Sequence, residues 1–492
     1  MGIVKRQSVQ SSVITYIGVF IGYVNLILLF PKFLTPEQLG LTRLLLSIAT
    51  IFSQFSLLGT SVSILRFFPY LEDKRSKHHG FLSFTILVSI VGFIVFTTLF
   101  IILRKPITDV FQEKSPLFVE YYFFLFPLSF FLLFFELLFM YMRALFKTVV
   151  PTLIKEIVLR LIQSAALVLL ILNVVSFEGF LLLFIGSYLL HLVVIMIYAA
   201  YLEQLFIFST IDFKGRVSVR EIMRYSLLLF VAAIASYYTL NIDQIMLGAL
   251  SGLASNAVYS IAFFVGTIIQ IPGRAINSVA IPIVAEAWKH NDQKKLQQLY
   301  KQTSLNELII GGFIFLLVWI NTDLLLSLLP PIYQQAKWVI FIVGLGKLFD
   351  LATGINGEIL VISKHSKATL FTNVFVILIS TIANYLMIPI WGVIGSAIAT
   401  SLSIISYNVI RMGFLYYKYR LQPFSSNTLK ALLLLTACFA LYYLLPSMEQ
   451  LWMSSFYQSV LMTGIISLSL ILFNISPEIT ASYNWFRLKV RA

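Results

Sequence analysis

Thr267, Gln270, Arg274, Asn277 and Ser278 lie inside an otherwise apolar run near 257–282, three or four residues apart except for the adjacent last pair. On a helix they share one face. Insertion scales charge about 2.5–3.5 kcal/mol for an arginine at mid-bilayer. A stripe holding Arg274 is therefore expected to face a neighbouring helix or a watery cavity. A guanidinium placed there offers a planar fork of donors suited to an oxyanion such as phosphate.

Other polar residues fall in apolar runs. Ser11, Thr15, Gly18, Gly22 and Asn25 share a face of the first run, and Arg43, Ser47, Thr50, Gln54 and Ser61 mark the second. Ser236, Thr239 and Asp243 mark the seventh. Packing is an open alternative for the small residues, which also bring membrane helices together. Lys347 and Asp350, three apart, can pair. Arg160 has Glu156 four residues before it, and Glu136 and Arg143 share a face seven apart. Glu358 is expected at the inner membrane surface.

The motifs of common chemistries are missing. Gly344-Leu345-Gly346-Lys347 lacks the upstream glycine of a phosphate-binding loop and is followed by leucine. No external loop holds paired carboxylates suited to glycosyl transfer. A single cysteine, Cys438, excludes a disulfide framework and a cysteine metal cluster. His78 and His79 sit in a charged loop and are expected to be solvated. No cofactor and no metal are expected.

The elements that position these residues follow from composition. The chain has 492 residues, 59% hydrophobic and 11% charged, with mean hydropathy +0.92. Soluble domains carry about a quarter charged residues, so lipid is the expected solvent. About fourteen apolar runs, near 10–32, 38–60, 82–103, 117–140, 150–172, 177–200, 224–248, 257–282, 307–329, 336–360, 367–389, 391–413, 428–446 and 453–474, can cross a core of roughly 30 Å. The fold class is all-α and polytopic. With the N-terminus inside, 26 of the 35 lysines and arginines fall in inside segments and five in outside loops. That asymmetry places both termini in the cytoplasm of a multi-pass cell-membrane protein. The net charge of +14 thus reflects topology, and nucleic acid is not an expected partner.

A shift of 218 residues sets Asn25 on Asp243 and the turn 34–40 on 252–258. Six spans per copy make a parallel repeat. The expected domains are an N-lobe at 1–200, a cytoplasmic connector at 201–223, a C-lobe at 224–418, and two appended spans with a tail at 419–492.

Leu34-Thr35-Pro36-Glu37-Gln38-Leu39-Gly40, Leu58-Gly59 and Arg66-Phe67-Phe68-Pro69 resemble the opening of Wzx-type polysaccharide flippases. Ile242-Asp243-Gln244-Ile245-Met246-Leu247-Gly248, Val258-Tyr259-Ser260-Ile261-Ala262, Pro282 and Gly392-Val393-Ile394-Gly395-Ser396-Ala397-Ile398-Ala399-Thr400 extend the likeness along nearly the whole chain. The family lies in the multidrug/oligosaccharidyl-lipid/polysaccharide (MOP) exporter superfamily, with MATE transporters and the lipid II flippase MurJ. The resemblance implies two six-helix lobes plus two appended helices. It also implies a cargo of undecaprenyl-pyrophosphate-linked oligosaccharide, moved from the inner to the outer leaflet by alternating access. Arg274, with Lys347, Arg160 and Arg43, would meet the anionic headgroup; Gln54, Gln270, Asn277 and Asn25 would bond the sugars. Asp243, Asp350 and Glu136 would serve coupling or gating, with H+ or Na+ as coupling ion. Membrane lipids and polysaccharide-assembly proteins are the other expected partners. Two rival readings stay open: a MATE-type small-molecule exporter, and a membrane-embedded polysaccharide polymerase or ligase.

Overall fold

In the computed structural model, residues 3–213, 215–365, 367–446, 448–478 and 480–481 are described. Lys214 of the expected connector and Arg487, Lys489 and Arg491 of the expected tail lie outside them. Among the described residues the chain is helical throughout, with no strand. Contacts divide it into two compact units, Met1–Ala257 and Val258–Ala492.

In the first unit, Thr35 caps the helix Pro36–Leu57: its hydroxyl accepts from the Gln38 backbone N–H while the Gln38 side chain accepts from the Thr35 N–H. Pro36 occupies the first turn, where its missing N–H costs nothing. Glycines then let backbones touch. A Cβ on Gly40 would stand 1.9 Å from the Leu253 carbonyl oxygen, and one on Gly59 would stand 2.0 Å from that of Ser226. The helix Val219–Leu250 consequently lies along 36–57, with Ser47 donating to Gln244 at 2.6 Å. By contacts this seventh span groups with the first unit.

The segment after Tyr201 is latched to the 72–80 loop. Lys74 pairs with Glu203 at 2.6 Å, Asp212 N–H reaches the His79 carbonyl at 3.1 Å, and Ser83 and Ser209 hydroxyls meet at 3.0 Å. His78 is buried here, not solvated. Its Nδ1 accepts from the Asp73 N–H, so its proton sits on Nε2, which donates to Gln204 Oε1 at 2.7 Å.

Among the described residues eleven helices are long and apolar enough to cross a membrane, or twelve if the bent pair Pro331–Ala352 and Asn356–Ile362 is one span. The expected count of about fourteen is not reached by this measure, for two physical reasons. The run 150–172 gathers three charges, Lys155, Glu156 and Arg160, within six residues. The runs 367–389 and 391–413 join in one helical stretch, Lys367–Tyr419. Fifty-three residues of straight helix would reach about 80 Å, yet this stretch turns back. Gly392 has φ 55 and ψ −125, and a Cβ on Gly395 would lie 2.1 Å from the Met387 oxygen.

In the second unit, the helix Gln293–Ser327 packs against Ile271–Lys289, Ala336–Ala352 and the last two spans, Ser426–Leu444 and Leu451–Leu472. Leu305, Leu308, Ile309, Leu316 and Ile320 meet Leu435, Met462 and Ile466 in its core.

Candidate functional site

Several of the predicted site residues gather in two clusters, one in each unit.

In the first unit the centre is Arg160. Its guanidinium pairs with Glu156 at 2.8 Å, one helical turn back, as the spacing predicts. Asn25 sits in a π-helical segment, Val24–Leu29. Its amide donates to the Arg160 carbonyl at 2.9 Å, and Ser164 donates to its oxygen at 2.7 Å. Asn25 is therefore engaged in holding two helices together. A Cβ on Gly22 would lie 2.8 Å from Arg160 Nε, and one on Gly18 would meet Glu156, so these glycines make room for the ion pair. Glu156 itself lies in a second π-helical segment, 154–158, an irregularity frequent at functional sites.

Arg43 lies 5.7 Å from the Phe30 ring, and its Nε has no hydrogen-bond partner among the described residues. Tyr188 feels the charge of both Arg43 and Arg160. Glu136 pairs with Lys155 at 3.3 Å. The face shared by Glu136 and Arg143 is not the one used, because Arg143 is exposed. The cluster thus holds three cations, Arg43, Arg160 and Lys155, against two carboxylates. Gln54 and Asp243 are buried in the same unit.

In the second unit the centre is Asp350. Its carboxylate accepts from Gln270 at 2.6 Å, from the Tyr407 hydroxyl at 2.6 Å and from Asn408 at 2.7 Å. Three neutral donors hold it, so the expected pairing with Lys347 is not what fixes Asp350. Lys347 is buried, 5.1 Å from the Phe263 ring. Thr353 and Asn356 donate to Asn408 Oδ1 at 2.9 and 2.6 Å and extend the network. Asn277 reaches Glu358 at 3.5 Å, so Glu358 packs against another helix of the unit.

The five-residue stripe divides. A short 3-10 segment, Ile268–Gln270, breaks the helix between Thr267 and Ile271. Gln270 and Asn277 turn inward to carboxylates, whereas Arg274 and Ser278 are exposed. Three carboxylates that sequence reading did not connect, Glu307, Asp350 and Glu358, act on one another here. Glu307 was hidden by its position at the first residue of an apolar run; the helix begins fourteen residues earlier, at Gln293. Arg411 serves this network from the 367–419 helix, 4.7 Å from the Tyr407 ring and bonded to Asn373 at 3.3 Å.

The profile of the polysaccharide biosynthesis protein family matches residues 4–288, more than half of the chain. The chain belongs to the polysaccharide biosynthesis protein family. A second profile, that of the MatE family, matches 228–386. The chain is 22% identical over 256 residues to the probable low-salt glycan biosynthesis flippase Agl15 of Haloferax volcanii, covering 50% of this chain and 54% of that one. It is 27% identical over 222 residues to the uncharacterized membrane protein MJ1068 of Methanocaldococcus jannaschii, covering 44% and 43%. The chain thus spans about half the length of the curated relatives it matches.

Solved structures share the fold over much greater lengths. Lipid II flippase MurJ in an inward closed conformation superposes with TM-score 0.71 at 14% identity, covering 95% of this chain and all of that one. An inward-facing multidrug resistance MATE transporter of the MOP superfamily gives 0.65 at 15% identity, covering 84% and 98%. The resemblance to the MOP superfamily read from the sequence holds. Within this member of the polysaccharide biosynthesis protein family, the family profile spans the Arg43–Arg160 cluster. The MatE profile spans Glu307, Lys347, Asp350 and Glu358.

Proposed function

We propose that this multi-pass membrane protein is a flippase. Its cargo in this reading is an undecaprenyl-pyrophosphate-linked oligosaccharide, a polysaccharide repeat unit, carried from the inner to the outer leaflet of the cytoplasmic membrane. Both termini lie in the cytoplasm. The observation that carries the reading is the family match across 4–288, the region that holds Arg43 and Arg160. A glycan flippase among the relatives and a lipid II flippase among the folds support it. In this mechanism Arg43, whose Nε is left without a partner among the described residues, gives charge-assisted bonds to the diphosphate. Arg160, tethered by Glu156, adds field without being free to follow the cargo. Exposed Arg274 offers a further contact, and alternating access of two lobes moves the headgroup.

The test is deletion of the gene and complementation. Loss of surface polysaccharide in the deletion strain, with lipid-linked oligosaccharide accumulating inside, is expected. R43A and R274A should fail to restore the polymer at undiminished protein levels. Normal surface polysaccharide in the deletion strain removes the cargo.

A second reading, export of small cations in the manner of MATE transporters, is favoured by the MatE match and by the acidic network in the same residues. Antimicrobial sensitivity of the deletion strain, with intact surface polysaccharide, would select it.

A further inference from the structure

The second unit brings three carboxylates, Glu307, Asp350 and Glu358, within reach of one another's charge. Glu307 is 2% exposed, on the helix that forms the middle of the unit. Its Oε1 has no hydrogen-bond partner among the described residues. The side chain lies beside Gly273, where an added Cβ would come 3.4 Å from Oε2, so the glycine leaves the space the carboxyl occupies. Asp350 spends its oxygens on Gln270, Tyr407 and Asn408, none of them charged. Glu358 takes a 3.5 Å contact from Asn277 and a bond from its own backbone N–H, and lies within the field of Arg411.

The surroundings of Glu307 can be taken helix by helix. From 336–352 and 356–362, Asp350 and Glu358 act on it, and both are negative. On 336–352 the cations are Lys347, against Phe263, and Lys337, paired with Asp323 at 2.7 Å. From 271–289, the charged groups Arg274, Glu286 and Lys289 are all exposed. From 426–444 the one charge is Lys430, exposed, and 451–472 carries none. A carboxylate that is dry, unbonded at one oxygen and faced by two others holds its charge only if a cation joins it. Among the described residues no group of three His, Cys, Asp or Glu is arranged to hold a metal ion. A proton on Oε1 neutralises the carboxylate and needs no further ligand.

We propose that Glu307 is a proton-binding site of the second unit. It is a neutral acid while the helices pack as observed, and it releases its proton when the carboxyl reaches water. The Asp350 network is the fixed charge against which that proton is held. The inference concerns the carboxyl itself and stands whatever the cargo; only its linkage to turnover rests on the transporter reading.

The experiment uses the purified full chain in lipid vesicles treated with dicyclohexylcarbodiimide. This reagent adds a protonated carboxyl across its C=N bond in apolar surroundings and ends as a stable N-acylurea, with nothing leaving. Peptide mass spectrometry of the wild-type protein should find the adduct on Glu307. Labelling should fall about tenfold per pH unit once the pH exceeds the carboxyl's own pKa. E307Q, which mimics the neutral acid, should fold and lose that adduct, and E307D should keep it. An unlabelled Glu307 at every pH, or labelling that ignores pH, overturns the proposal without touching the cargo reading, which is judged by surface polysaccharide.

Discussion

A guanidinium or carboxylate inside a membrane helix needs a partner, and the buried ones in this chain find different kinds. Arg160 has Glu156 at 2.8 Å, with side chains 24% and 20% exposed. That is between a surface pair and a buried one, so removing one partner should cost about 2 kcal/mol. R160M is expected to lower the thermal midpoint of the detergent-solubilised protein. R160M/E156Q should recover part of the loss, because the stranded carboxylate is then gone. Equal midpoints for the two variants would show that Glu156 needs no partner. Asp350 relies on three neutral donors instead. D350N converts an oxygen that accepts into an amide that donates, facing Gln270, Tyr407 and Asn408. The expected cost is about 3 kcal/mol from charge-assisted bonds alone, read as a lower midpoint by thermal shift.

Helices meet here where glycine removes the side chain, and the packing tolerates little else. At Gly40 the obstacle is backbone, the Leu253 carbonyl, and the same contact lets Asn256 donate to the Gly40 oxygen at 3.3 Å. Backbone cannot swing aside as a side-chain tip can. G40A should destabilise by on the order of 2 kcal/mol, whereas G186A, with nothing within 4 Å, should leave the midpoint unchanged. Gly392 is different in kind. Its φ 55 and ψ −125 match the first central position of a type II′ turn, which a side chain resists. G392A should cost about 1–3 kcal/mol and loosen the hairpin between 367–389 and 393–419, visible as faster hydrogen exchange near 388–395. Pro389, one turn earlier, marks the same corner in the sequence.

At the scale of the whole chain, a latch outside the membrane spans joins the 72–80 loop to the segment after Tyr201. Two of its carboxylates, Glu203 and Asp73, are held below their ordinary range. Hydrogen bonding to Lys74 and then its charge lower Glu203. The Ser76 hydroxyl, followed by the Arg75 backbone N–H, lowers Asp73. A depressed folded pKa means that the stabilisation is complete above the unfolded carboxylate value of about 4. It is lost as pH falls through the folded value. Hydrogen-exchange protection of 72–80 and 203–213, corrected for intrinsic rates, should therefore be flat from neutral pH downward and drop only below that range. The Glu203 side chain is 78% exposed and that of Asp73 38%, so the change is expected to be small. A loss of protection already near neutral pH would implicate another group.

What the sequence determined by itself was whatever depends on local chemistry. Lipid is the solvent because charge is scarce, and Thr35-Pro36 starts a helix because capping is decided within one turn. The Arg160–Glu156 pair was legible because four residues on a helix place two side chains together whatever surrounds them. Tertiary structure decided the rest, because burial and pairing between helices are not encoded in spacing. Gln270 and Arg274 share a stripe in the sequence, yet one binds Asp350 and the other is exposed. Glu307, apparently at the edge of a span, lies in the middle of a long helix. Gly18 and Gly22, readable only as small residues, are where they are because Arg160 comes across from another helix to fill the space.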